Sequence, residues 1–199
     1  MMEDYHEDIA ASTIAALMLR LKRDSILEHT PTQGIFYQIQ QPEHDRSAHA
    51  LGEIVITSSP IGNGRAEDLT LSKVQDFWTN YPGDSQGKHW ILIEFKNNKR
   101  AILWGYALRS RPCTASYGQP RAWILSGSND NVNWTQLDKR PPNNDLNGYL
   151  VYKGYQLDHE SEPFRYIKLE HIGPNNNNGT TNYLSITQIE LHGTLVDNQ

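Results

Sequence analysis

The chain has 199 residues, 37% of them hydrophobic, a formal net charge of −5 and a pI near 5.9. That length supports one well-buried core and is short for two domains with long loops. An acidic balance without clustered Lys and Arg excludes the electrostatic footprint of a nucleic-acid binder and argues against an anionic membrane surface as partner.

The chain opens on MMEDYHEDIAAS, whose acidic residues precede any apolar run and do not match a secretory or mitochondrial leader. No stretch reaches the roughly 18 apolar residues that a membrane-spanning helix needs. Over residues 8 to 28, Ala10, Ile14, Leu17, Met18 and Leu21 recur at helical spacing and predict an amphipathic helix. Acidic residues lead it and Arg20, Lys22 and Arg23 lie toward its end, which matches the helix macrodipole in sign. Thr30-Pro31-Thr32-Gln33-Gly34 then breaks the pattern. The division expected is a helical extension over 1–33 and a β-domain over 34–199. Ile14, Leu17, Met18 and Leu21 form the stripe expected to dock a protein partner.

From Ile35 onward the chain consists of short runs rich in β-branched and aromatic residues, separated by Gly, Pro, Asn and Asp. Strands are predicted over 35–39, 53–57, 89–95, 101–110, 121–128, 134–138, 149–157, 164–172 and 185–193, with a helical turn within 68–78. Strands without intervening long helices imply a sandwich or barrel. Asn97-Asn98-Lys99 and Asn129 to Asn133 are short enough for hairpins. Residues 58–88, 111–120, 139–148 and 173–184 are long connections, where binding groups concentrate on a rigid β scaffold.

Eight histidines invite a metal hypothesis, but their spacing matches no zinc motif. Asn129, Asn131 and Asn133 occupy alternate positions, as calcium ligands do, yet position twelve of such a loop is Arg140. A hairpin explains the run without a metal. Gly62 and Gly64 begin a dinucleotide-like spacing in which Glu67 stands where the third Gly belongs. No cofactor and no metal are therefore expected. Four tryptophans, Trp90, Trp104, Trp123 and Trp134, fall in predicted strands and are expected in the core. Cys113 is the only cysteine, so no intrachain disulfide can form, which fits a reducing compartment. The triplets Asn133-Trp134-Thr135 and Asn178-Gly179-Thr180 match the glycosylation sequon, as chance allows in so Asn-rich a chain.

The runs 123-WILSGSNDNVNWTQLD-138, 164-FRYIKLEHIGPN-175 and 184-LSITQIELHGTL-195, joined by 75-QDFWTNYPGDSQGKHWILIEF-95, resemble the discoidin domain, also called the coagulation factor 5/8 type C domain. The resemblance covers roughly residues 50 to 195. It is nearest to discoidin-type modules of intracellular proteins, including those attached to BTB and kelch-type ubiquitin-ligase adaptors in protists. It implies an all-β jelly-roll sandwich of the galactose-binding-like fold, about eight core strands, with ligand loops at one end and no enzymatic activity. Two departures matter. The terminal disulfide common in secreted members has no cysteine pair here, and the loop 58-SSPIGNGRAED-68 offers only Ile61 and Arg65 for membrane contact.

Two functions follow as expectations. The first is a cytoplasmic, non-enzymatic module for protein–protein interaction, a scaffold or adaptor of a cytoskeletal or ubiquitin-ligase assembly. The second is a carbohydrate-binding module whose amide, Arg and aromatic side chains engage sugar hydroxyls and the apolar sugar face. Its candidate residues at the loop end are Asn63, Arg65, Asn80, Tyr81, Arg111, Tyr117, His171, Asn175 and Asn176, with Asn177 and Asn178 continuing the run.

Overall fold

A computed structural model describes residues 2–30, 32–41, 45–71, 77–79, 87–113, 118–173, 175–176 and 183–197, with backbone alone at 2–11 and 78. The long N-terminal helix α1 runs Met2–His29. A second helix, α2, covers Ile35–Gln40. Eleven strands follow among the described residues: β1 (Ile54–Ser58), β2 (Ile61–Asn63), β3 (Phe77–Thr79), β4 (His89–Phe95), β5 (Lys99–Arg109), β6 (Trp123–Ser128), β7 (Thr135–Arg140), β8 (Tyr152–Gln156), β9 (Tyr166–His171), β10 (Ser185–Ile186) and β11 (Gln188–Asp197).

All described pairings are antiparallel, in a five-stranded sheet of order β1-β4-β9-β6-β7 and two three-stranded sheets, β11-β5-β8 and β10-β3-β2. Strands β4 and β9 alternate strictly, burying Ile91, Ile93, Ile167 and Leu169 and turning Trp90, Leu92, Lys168 and Glu170 outward. That period of two is why these segments are readable as half-buried strands. The inner faces meet in one core, where Trp123, Tyr106, Phe95, Leu103 and Leu108 are fully buried. Trp123 donates its indole N–H to the Tyr106 hydroxyl at 2.8 Å, and Tyr106 donates to Asp138 Oδ2 at 2.7 Å. Burial, with Asp138 beside it, raises the Tyr106 pKa well above the usual phenol value.

Three expectations need correction. Residues 35–39 form helix rather than strand, because a distant residue caps them. Glu190 on β11 accepts the backbone N–H of Phe36 at 2.8 Å and of Tyr37 at 3.1 Å. These are first-turn donors that a helix cannot satisfy itself. Gly34 precedes them where a Cβ would lie 2.2 Å from the Leu191 carbonyl oxygen, so only glycine admits the close approach. The segment around 58–79 holds β2, a 3-10 turn at Ala66–Thr70 and β3, so it is a third small sheet rather than one long loop. Of the four strand tryptophans only Trp123 is core; Trp90, Trp104 and Trp134 are half-buried.

Helix α1 touches the domain through its last turns. Leu27 is buried against Gly154 and Gly105 of β8 and β5, where a Cβ on Gly154 would stand 2.6 Å from the Leu27 Cβ. Arg23 pairs with Glu160 at 2.7 Å and lies over the Trp104 ring. The stripe named from the sequence faces away: Ile14, Leu17, Met18 and Leu21 are 58, 56, 66 and 59% exposed. No described helix is long and apolar enough to cross a membrane.

Candidate functional site

The sandwich has two ends with different contents. At one end Asn97 and Asn98 turn the chain between β4 and β5 with φ of 55° and 59°. The hairpin between β6 and β7 lies at the same end. There Asp130 Oδ1 accepts the N–H groups of Val132 and Asn133 at 2.9 and 2.7 Å, and its other oxygen accepts the Asn133 amide at 2.7 Å. These donors hold the Asp130 carboxyl well below the usual carboxylate range. Its oxygens are engaged within the turn, as an Asx turn requires.

The opposite end gathers the connections β5–β6, β7–β8 and β9–β10. Asn176 ties them together. Its Oδ1 accepts the N–H groups of Gly118 at 2.9 Å and Gln119 at 2.8 Å, and its amide nitrogen donates to Asn147 Oδ1 at 2.6 Å. Ser110 adds a second tie, donating to the Gly148 carbonyl at 2.8 Å and accepting the Val151 N–H at 2.8 Å. The Arg111 carbonyl accepts the Leu150 N–H, which joins the same two connections.

At the same end lies a cavity of about 320 Å³ lined by Gly87, Lys88, His89, Glu170, His171, Ile172 and Gly173. His89 and His171 are direct neighbours across β4 and β9. His89 Nδ1 lies 2.6 Å from the Thr79 hydroxyl, which in turn accepts the Leu184 N–H at 3.0 Å. Lys88 Nζ stands 3.7 Å from Glu170 Oε1. This wall offers both hydrogen-bond donors and acceptors, with a charged pair at the mouth.

The sequence-predicted residues divide among distinct roles. Asn63 ends β2, in register with Trp78 and one strand from Thr79, and is exposed. Arg65 is exposed, with Glu67 at 3.8 Å and Asp68 at 3.9 Å. Arg111 is half-buried. His171 ends β9, within the strand expected over 164–172, is 6% exposed and forms part of the cavity wall. Asn175 is 1% exposed, and the side-chain oxygen and nitrogen of Asn176 serve the clamp. Asn80, Tyr81, Tyr117, Asn177 and Asn178 lie outside the described residues. Sequence reasoning missed Lys88, His89, Glu170 and Gln119. The first three become neighbours only once β4 pairs with β9, although the run GKHW before an alternating strand marks a strand mouth.

Among solved structures, a family 32 carbohydrate-binding module of Clostridium perfringens, in complex with GalNAc-β-1,3-galactose, is similar with a TM-score of 0.56 at 15% identity, over 71% of this chain and 96% of that one. The F5/8 type C domain of a Bacteroides fragilis protein gives 0.54 at 10% identity, over 72% of this chain and 93% of that one. The fold is a galactose-binding-like jelly roll. The discoidin-like sandwich also occurs within allantoicase from Saccharomyces cerevisiae, with a TM-score of 0.51 and 14% identity over 71% of this chain and 40% of that one. An enzyme and binding modules thus share this architecture, so function has to be argued from the site. No protein-family model matches the chain.

Proposed function

We propose that this jelly roll is a non-enzymatic binding module that takes a carbohydrate at its loop end. The observation that carries the reading is the polar cavity of Lys88, His89, Glu170 and His171, held beside three loops that Asn176 and Ser110 fasten together. A sugar needs a preformed wall of donors and acceptors, because each hydroxyl that loses water must regain partners. A fastened loop end supplies that without an ordering cost at binding. In this reading the exposed Asn63 and Arg65 and the half-buried Arg111 are further candidate ligand contacts. The likeness to a module crystallised with GalNAc-β-1,3-galactose supports the same ligand class.

The test is a glycan array on the full chain, followed by calorimetry with the best binder. Lys88→Ala and Arg65→Ala are expected to weaken binding about tenfold each, the size of one lost charged hydrogen bond. An array without a binder at high protein concentration would sink the reading.

A second reading, a protein-assembly adaptor in the cytoplasm, rests on α1. Five large apolar side chains on this stretch, Ile14, Leu17, Met18 and Leu21 of the stripe and Leu19 beside them, are unusual for a surface that stays bare. The lone cysteine supports a reducing compartment, the setting of cytoskeletal and ubiquitin-ligase assemblies. Replacing Leu17 and Leu21 by Ser in the full chain is expected to convert an assembled species into a smaller one in light scattering. An unchanged mass would remove the helix from this role.

A further inference from the structure

The outer face of the five-stranded sheet carries a second depression, of about 250 Å³, whose wall includes Lys88, Trp90, Leu92, Trp134, Lys168 and Glu170. It is built by strand alternation. Trp90 pairs with Glu170 and Leu92 with Lys168 across β4 and β9, so apolar and charged side chains sit side by side on the outward face. Trp134 arrives from the β6–β7 hairpin, and Lys168 Nζ lies over its ring at 4.3 Å. Glu170 holds both lysines, with Lys168 at 3.6 Å on one oxygen and Lys88 at 3.7 Å on the other.

Lys88 and Glu170 line this depression and the loop-end cavity alike. The two hollows are therefore successive stations of one track, running from the strand mouth onto the sheet. We propose that this track binds an extended oligosaccharide, with the loop end taking one residue of the chain and the Trp90–Trp134 face taking the residues that follow. The proposal deepens the carbohydrate reading and rests on it.

The chemistry of the lining selects the occupant. Indole faces pack against the C–H face of a pyranose, and Glu170, Lys88 and Lys168 supply an acceptor and donors for the hydroxyls around its rim. An apolar helix laid on the same surface would bury those three charges without new partners, a costly exchange. A single-stranded nucleic acid would stack on the rings but meets a chain of net charge −5.

The experiment is affinity electrophoresis of the full chain in gels cast with soluble galactan, xyloglucan or mixed-linkage glucan, beside calorimetry with free galactose and GalNAc-β-1,3-galactose. The wild type is expected to be retarded by one of the polysaccharides. Trp134→Ala is expected to weaken that retardation at least tenfold while leaving monosaccharide binding unchanged. Equal retardation of both proteins overturns the track. Sugar binding in calorimetry without any retardation also overturns it and leaves the loop-end reading standing. Silence in every gel, in calorimetry and on the array overturns both. Should Trp134→Ala unfold, titration of the wild type with fragments of the retarding polysaccharide replaces it. A shifted Trp134 indole N–H resonance then supports the track, and an unmoved one overturns it.

Discussion

Both ends of the sandwich are rich in Asn, and they divide it differently between local turns and long-range ties. At the hairpin end Asn97, Asn98 and Asn131 adopt left-handed backbone, Asp130 and Asn133 bond to groups at most three residues away, and Asn129 reaches across, to the Pro163 carbonyl and the Arg165 N–H. At the loop end Asn176 reaches 57, 58 and 29 residues along the chain. One set closes turns that the chain could make anyway; the other defines where three connections stand relative to each other. Glu190 applies the long-range principle once more, fastening α2 to β11 across more than 150 residues. Composition alone marks both ends as polar, and only the partners tell a turn from a clamp.

Breaking the longest-range tie should cost most. Glu190→Ala strands the N–H groups of Phe36, Tyr37 and Leu191. A loss of about 3 kcal/mol is expected in urea denaturation, given 1–3 kcal/mol for buried groups left unsatisfied. The pH dependence sharpens the point. Burial pushes the Glu190 carboxyl up to about 8, against the downward pull of those N–H donors. The folded chain then holds a proton that the unfolded chain releases near 4.5, so this contribution is full below about 4.5 and lost as pH rises through about 8. Wild-type Tm should fall between about pH 5 and about pH 9, and Glu190→Gln should lose that slope. A slope unchanged in the Gln variant would assign it to other groups.

Asn176→Ala comes next, with about 2 kcal/mol expected from two orphaned N–H donors. Amide exchange at Gly118 and Gln119 should accelerate while the β6–β7 hairpin is unaffected, and glycan binding should weaken with it. Smaller still is Asn131→Val, about 1 kcal/mol from forcing a β-branched residue into left-handed backbone. Smallest is Asn133→Ala, within about 0.5 kcal/mol for an exposed side chain with local partners. An Asn133 effect equal to that of Asn176 would erase the contrast between the two ends.

What could be read from the sequence follows the same division. Strands β1, β4, β5, β6, β7, β8, β9 and β11 are legible because alternation and turn residues are local signals. Helix α2 is not, since IFYQI has the residues of a strand and its capping partner is Glu190, far away in sequence. The tryptophans mislead for a related reason. A strand position fixes alternation but not which face is covered, so Trp90 proves to be outward-facing while Trp123 is core, and Trp134 lies in the hairpin just before β7. At the loop end the sequence singles out 111–120, 139–148 and 173–184, connections that the fold brings to the same end. Which Asn meets solvent depends on contacts between them, and Asn175 and Asn176 turn inward or across.

The seating of Leu27 between Gly105 and Gly154 has a mechanical side. Among the described side chains α1 is attached to the sandwich in its last two turns, and the helix from Met2 to Arg23 that precedes them is about 30 Å long at 1.5 Å per residue. Tension applied near its N-terminus would load the Leu27 socket and the Arg23–Glu160 bridge before it reached any strand of the sandwich. The glycine socket is thus the point at which such a load would pass from the helix into the β11-β5-β8 sheet.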